Sequence, residues 1–249
     1  MRRAMHRRIL AVETATPRQS IAVLEGTTPI ATLEQTAASG QTRWLIPAID
    51  RLLASIKMRL SDLDGLVLSA GPGSFTGLRT SFATMMGLRY VTGLPLVGVP
   101  TLEGMAWTLR GETRTLCPII HAQTDHVYWA CFRWEGERLL RLTEDQLGTW
   151  SDLRHALREP VLLFGEGWQR HRQTVLDQFV NADRFHQEGP ADCMSPSAVS
   201  VGRAGLERLE AGERLASGEG PRYVQRARAE VEELKHRSES MGGRSGRCV

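Results

Sequence analysis

The stretch GPGSFTGLR, residues 71–79, joins two predicted elements of regular structure. The apolar run from Leu66 to Ser69 before it is typical of a buried strand, and the residues from Thr76 to Val91 have the pattern of a helix. A glycine-rich connection between a strand and a helix is either a tight turn or a loop that binds a phosphate. The stretch therefore predicts an α/β fold and leaves two interpretations of the turn open.

The spacing in this stretch differs from both common phosphate-binding motifs. A Walker loop has four residues between its glycines and then a lysine, whereas Gly73 and Gly77 enclose three residues and Leu78 follows. The dinucleotide-binding fingerprint would need a glycine in place of Thr76. What remains is a helix start with free backbone N–H groups, which Ser74 or Thr76 can cap. Gly73, Ser74, Thr76 and Gly77 are the candidate nucleotide or anion contacts, and a structural turn is the alternative.

Hydrophobic patterning predicts two tandem lobes, an N-terminal lobe over residues 9–111 and a smaller one over 115–190. The first has the order βββαβαβα, with strands at 9–12, 20–24, 30–33, 66–69 and 96–99 and helices at 43–57, 76–91 and from 101. The second has strands near 118–120, 127–132, 138–142 and 161–164 and helices from 151 and 168. A last helix, within residues 195–213, is expected to pack back on the first lobe. Two lobes of the βββαβα type are similar to the actin-like ATPase (ribonuclease H-like) superfamily.

Charge and composition exclude several classes of function. The chain carries a formal net charge of +3, but without residues 1–8 and 235–249 the net charge is −4. These two ends are predicted to be disordered tails, and the acidic body argues against a broad nucleic-acid-binding face. Four widely spaced cysteines without a C-x-x-C pair predict free cytosolic thiols. With no signal peptide and no long apolar run, a cytoplasmic protein without membrane contact is expected.

Catalytic and metal sites are poorly represented in the sequence. An actin-like kinase needs an acid and a glycine-rich hairpin at its first strands, but here Glu13 is followed by TATP, without glycine. His121 and His126 are five residues apart on a predicted hairpin, which places them on opposite faces of an extended strand. The sequence therefore predicts no catalytic residues, no metal site and no cofactor of the chain's own.

Two predicted helices carry candidate partner-binding faces. The apolar arc of residues 44–56 covers roughly 200°, more than the one face of a little over 100° that burial in a single domain needs. The helix after the quoted stretch has a face of small residues, which lets another helix approach closely. The predicted contacts are Leu45, Ile49 and Leu52 on the first helix and Thr80, Ala83, Thr84 and Gly87 on the second. The alternative is that each helix is simply sandwiched inside its own domain.

At these residues the chain resembles a known family, the bacterial TsaB proteins of tRNA threonylcarbamoyladenosine biosynthesis. The resemblance is dense over residues 9–107, and the run GPGSFTGLR is specific to that family. Further matching segments are ILAVETAT (9–16), LIPAID (45–50), LSDLDG (60–65), PLVGV (95–99) and TLE (101–103). Three positions depart from the family pattern: Glu13 replaces Asp, Gln41 replaces a common His, and His121 begins HAQ where DAR is usual.

The resemblance implies a non-catalytic subunit with an actin-like fold. Such a subunit pairs through its N-terminal lobe with a TsaD-type catalytic paralogue, which modifies adenosine 37 of tRNAs that read ANN codons. A TsaE-type ATPase joins the assembly, ATP or ADP is expected near the shared interface, and tRNA is reached only through the complex. A homodimer is expected to be possible for the isolated subunit. The rival interpretation is an independently active actin-like enzyme, either a small-molecule kinase or a metallopeptidase.

Overall fold

The computed structural model describes residues 7–36, 43–157, 159–178, 186–190, 193–216 and 218–224. The first lobe contains β1 (Arg8–Glu13), β2 (Arg18–Glu25), β3 (Thr28–Thr36), α1 (Leu45–Ser55), β4 (Gly65–Ser69), α2 (Phe75–Thr92), β5 (Leu96–Val99) and α3 (Thr101–Ala106). This order is the one predicted from the hydrophobic pattern. Gln41, one of the departures from the family pattern, lies outside the described residues.

The sheet of the first lobe has the strand order β3-β2-β1-β4-β5. Strand β1 lies at its centre, antiparallel to β2 and parallel to β4, and five of its six residues are buried. Central strands with parallel neighbours are covered on both faces, which explains the continuous apolar run from Ile9 to Val12. Both β4 and β5 are reached through a helical crossover, so their carboxyl ends lie at the same edge of the sheet as the end of β1.

The second lobe begins at β6 and repeats the pattern less regularly. It contains β6 (Thr115–His121), β7 (His126–Trp129), β8 (Phe132–Glu135), β9 (Arg138–Arg141), β10 (Gln146–Thr149), α4 (Trp150–Ala156), β11 (Val161–Phe164), α5 (Glu166–Gln178) and β12 (His186–Glu188). Its sheet has the order β10-β7-β6-β11-β12, with β8 paired to β6 and β9. The α/β fold with two lobes of related construction is thereby confirmed.

The predicted strand over residues 127–132 is wrong, because the chain turns between β7 and β8. Cys131 lies in the break, where its N–H donates to Thr143 Oγ1 at 2.9 Å and its carbonyl accepts from Leu142 N–H at 2.8 Å. These bonds replace the ladder that a continuous strand would form. Strands β10 and β12 were not predicted from the sequence.

Helix α6 (Ala198–Glu210) follows the second lobe and packs against β1, β2, β4 and β5 of the first. One continuous apolar core includes residues of both lobes, among them Ile9, Val67, Ile119 and Phe164. A second core lies between the first sheet and the helices α1 and α2. The lobes therefore share packing.

The predicted boundary of the N-terminal tail needs one correction. Arg8 was assigned to the tail but is the first residue of β1. Its N–H donates to Asp64 Oδ2 at 2.9 Å, and its guanidinium forms an ion pair with Glu25 at 2.9 Å. These partners extend the strand by one residue. Residues 1–6 and 225–249, which include the predicted C-terminal tail, lie outside the described residues.

Candidate functional site

The glycine-rich turn between β4 and α2 is packed tightly against the turn that connects β1 and β2. A Cβ atom at Gly73 would overlap the Ala15 carbonyl, and Gly73 has a φ of 150°, which side chains other than hydrogen rarely allow. A Cβ atom at Gly77 would overlap the Thr14 carbonyl. These two glycines are therefore required by contacts within the lobe.

Hydrogen bonds use the N–H groups that a bound anion would need. Ser74 N–H donates to Ala15 O at 2.7 Å, and Gly77 N–H donates to the Ser74 hydroxyl, which caps α2, at 3.2 Å. The Thr14 hydroxyl in turn donates to Gly77 O at 2.9 Å. Thr76, the other predicted cap, lies inside the helix, where its carbonyl accepts from Thr80. This geometry favours the structural-turn interpretation, and anion binding at these residues remains a prediction.

Glu13 ends β1 in a fully buried position beneath this turn. Burial raises the pKa of its carboxyl group to about 7, although a hydrogen bond from Ala15 N–H at 2.5 Å opposes the shift. The Ser69 hydroxyl is near enough to lower the pKa slightly, yet neither Ser69 Oγ nor Glu13 Oε2 makes a hydrogen bond of normal geometry with described residues. The same holds for the buried Thr101 hydroxyl. Glu13, Ser69 and Thr101 are each fully buried in the single chain.

A C-terminal strap, residues 213–216 and 218–224, runs from the amino end of β5 to the carboxyl end of β4. Leu215 N–H donates to Leu96 O at 2.8 Å, and Arg222 N–H donates to Ala70 O at 2.7 Å. Tyr223, at the end of the strap, accepts a hydrogen bond from Arg79 at 3.1 Å and lies 5.3 Å from the Phe75 ring. The last part of the strap, at Arg222 and Tyr223, therefore lies at the carboxyl edge of the sheet and reaches the start of α2.

Large apolar side chains are exposed on α2 next to its small residues. Tyr90 is 90% exposed and Val91 is 81% exposed, while Ala83 and Gly87 are also exposed. The helical spacing of 100° per residue puts these on one side of α2 together with Thr76, Thr80 and Thr84. We call these seven residues the α2 face. At Tyr90 and Val91 the α2 face is apolar, and no described residue covers it there.

The predicted contact residues on α1 need a correction. Leu45, Ile49 and Leu52 are all buried in the core between α1, α2 and the sheet. The apolar arc of α1 is wide, and these three residues occupy the part of it that covers β2 and β3. In the single chain they are core residues. The outward apolar residue of α1 is Ile46, which is 65% exposed.

The two histidines considered from the sequence lie in different places. His126 Nδ1 is 2.9 Å from Asp125 Oδ1, at the start of β7. His121 instead lies against His171 of α5, with its Nδ1 atom 3.3 Å from Nε2 of His171. His171 is fifty positions away in the chain, so no local pattern indicates the pairing. The described residues contain no group of three or more His, Cys, Asp or Glu side chains suited to a metal ion.

Comparison with known proteins first defines the class. The fold resembles a solved structure titled YeaZ from Pseudomonas aeruginosa, with a TM-score of 0.71, 20% identity and coverage of 88% of this chain and 100% of that one. The (R)-2-hydroxyglutaryl-CoA dehydratase component A of Acidaminococcus fermentans follows with a TM-score of 0.50, 10% identity, and coverage of 83% and 100%. The chain has an actin-like fold.

The sequence comparisons then identify the family. Residues 9–160 match the family model described as TsaD, tRNA N6-adenosine threonylcarbamoyltransferase. The tRNA threonylcarbamoyladenosine biosynthesis protein TsaB of Escherichia coli K12 is 32% identical over 171 residues, 65% of this chain and 72% of the relative. TsaB of Bacillus subtilis 168 is 27% identical over 192 residues, 74% of this chain and 84% of the relative. The chain belongs to the TsaB family, and its role lies in tRNA threonylcarbamoyladenosine biosynthesis.

Each helix in the described part of the chain is too short or too polar to cross a lipid bilayer.

Proposed function

We propose that this chain is a non-catalytic scaffold and activating subunit for tRNA threonylcarbamoylation, and that its α2 face docks a TsaD-type catalytic partner. The observation that carries the proposal is the exposure of Tyr90 and Val91 beside the small residues Ala83 and Gly87. Exposed aromatic and branched side chains next to small ones are suited to contact with a helix of a second subunit. The match to the TsaD family model supports a partner of related fold.

The sealed edge of the first lobe supports a non-catalytic role. Glu13 is held in a fully buried site, and Ser74 and Gly77 direct their N–H groups to atoms of the same lobe. A phosphoryl-transfer site needs such groups free to meet the phosphates and the metal. We therefore assign catalysis to the partner, and ATP or ADP to the interface that the two subunits share.

The remaining members of the proposed assembly follow from the family. A TsaE-type ATPase joins the two subunits, and tRNA contacts the chain only through the complex, in the cytoplasm. Because the α2 face is uncovered in the single chain, we expect the isolated subunit to form a homodimer through it at high concentration. The TsaD-type partner then competes with that homodimer.

A binding titration against the purified TsaD-type partner tests the proposal. Val91→Asp places a charge on the most apolar part of the α2 face, beside Tyr90, and should weaken the affinity at least about tenfold. The matched control is Leu142→Asp, since Leu142 is an exposed apolar residue of the second lobe, outside the α2 face. If both variants bind the partner as the parent chain does, the α2 face is not the docking surface.

A further inference from the structure

The pair His121 and His171 is held in place by the packing of α5 on the end of β6. A Cβ atom at Gly167, in the first turn of α5, would lie 2.9 Å from His121 N, so the helix approaches the strand end closely. Glu166 Oε1 also accepts a hydrogen bond from His121 N–H at 3.2 Å. The backbones that carry the two rings are therefore fixed relative to each other.

The geometry of the two rings fits chelation of one metal ion. Zinc–nitrogen bonds of about 2.0–2.1 Å at a tetrahedral angle separate two ligating nitrogens by about 3.3–3.4 Å. In the structure His121 Nδ1 and His171 Nε2 are 3.3 Å apart and share a hydrogen bond, one ring N–H donating to the other ring nitrogen. A metal ion that binds both nitrogens would take the place of the shared proton.

The surroundings of the pair leave the rings partly open to solvent. The Trp150 ring lies 5.6 Å from His171 and covers part of the site. Both histidines are half-buried, which leaves access for an ion and its water ligands.

We propose that His121 and His171 form a two-histidine site for a divalent transition-metal ion of borderline softness, with Zn²⁺ as the physiological member. His121 binds through Nδ1 and keeps its proton on Nε2, whereas His171 binds through Nε2 and keeps its proton on Nδ1. Since no third ligand is provided by the described residues, water completes the coordination. Such a site is exchangeable, and it is separate from the sealed edge of the first lobe.

The test uses the full chain without an affinity tag, in a Cys248→Ser background that removes the thiol near the C-terminus. After chelator treatment, Zn²⁺ affinity is measured by competition with a chromophoric chelator. We expect one Zn²⁺ per chain and a loss of affinity of at least about tenfold for His121→Gln and for His171→Gln. The matched control is His155→Gln, because His155 is an exposed histidine of α4 that contacts only its own helix through Ser151 O at 2.6 Å. That variant should bind Zn²⁺ as the parent does.

Two measurements keep the result interpretable. Thermal unfolding without metal shows whether each variant is folded, and addition of Zn²⁺ should raise the midpoint of the parent and of His155→Gln but not of His171→Gln. Imidazole NMR signals of His121 and His171 should shift together on Zn²⁺ addition. If the parent binds no Zn²⁺, or if His171→Gln binds it equally well, the pair is only a hydrogen bond between two imidazole rings and the proposal fails.

Discussion

The first strands of the two lobes end in titratable side chains that lie in opposite environments. β1 ends at Glu13, which is fully buried under the turn at Gly73 and the loop at Ala15, whereas β6 ends at His121, which is half-buried and faces His171. Proteins with α/β folds bind their ligands at the carboxyl ends of the strands. In the first lobe this edge is closed by backbone contacts, so its polar groups belong to the core. In the second lobe the edge is open, so its polar groups can meet a ligand.

The largest effect is expected where the closure of the first lobe is tightest. Gly77→Val would drive a branched side chain into the Thr14 carbonyl, and Gly77 N–H also supports the Ser74 cap. We expect a loss of at least about 3 kcal/mol in the free energy of unfolding, measured by urea denaturation. The control is Gly87→Ala on the same helix, where a Cβ atom meets nothing within 4 Å. It should gain up to about 1 kcal/mol, and equal losses at both glycines would contradict the closed turn.

The second effect is the part of the pH dependence of stability that Glu13 contributes. Its carboxyl ionises near 4.5 in the unfolded chain but near 7 in the folded one. Between these values unfolding releases a proton, so this group's contribution to stability falls as pH rises and is lowest above pH 7. Glu13→Gln lacks the ionisation, so its stability relative to the parent should rise by about 2.5 kcal/mol from pH 5 to 8.

Urea denaturation of both chains across that pH range measures the difference. Other buried carboxyls contribute equally to both curves and cancel. Parallel curves for the parent and Glu13→Gln would show that water reaches the carboxyl and that the first edge is as open as the second.

The contrast between the two edges shows what the sequence reveals and what it does not. The elements of the first lobe were predictable because its strands are apolar runs bounded by turn residues. Short β10 has one buried residue among its four, so it carries no strand pattern. The close approach of Gly73 and Gly77 to the β1–β2 turn, and the meeting of His121 with His171, depend on contacts between distant segments.

The sequence also could not predict which side of a helix faces the core. In α1 the apolar arc exceeded one face, so the pattern could not separate the buried Leu45, Ile49 and Leu52 from the exposed Ile46. In α2 the small residues were correctly recognised as a distinct side. Val91 was placed on that side from the sequence, and the structure adds Tyr90 and shows that both residues are exposed.

A smaller effect on stability is expected at β5, where the strap packs against the sheet at a distance from Glu13. Leu215 is buried against β5, and Leu215→Ala should cost about 2 kcal/mol of unfolding free energy. The pH dependence assigned to Glu13 should persist in this variant, because Leu215 lies over β5 and not over β1. Leu142→Ala, at an exposed leucine, is the control and should change stability by less than about 0.5 kcal/mol. Loss of the pH dependence in Leu215→Ala would mean that the strap, too, seals Glu13.

The smallest effect on stability, and the clearest on binding, is expected on the α2 face. A Cβ atom at Gly87 would meet no described atom within 4 Å, so in Gly87→Leu the melting temperature should stay the same or rise slightly through better helix propensity. The same leucine would enter the space into which a partner helix must fit and should weaken binding to the TsaD-type partner about tenfold, or about 1.4 kcal/mol. Gly87→Ala, with a much smaller side chain, should bind more tightly than Gly87→Leu. Thermal unfolding beside a binding titration gives both quantities. A large fall in melting temperature with unchanged affinity would make this face internal packing, and the docking surface would then have to include Ile46 of α1 without α2.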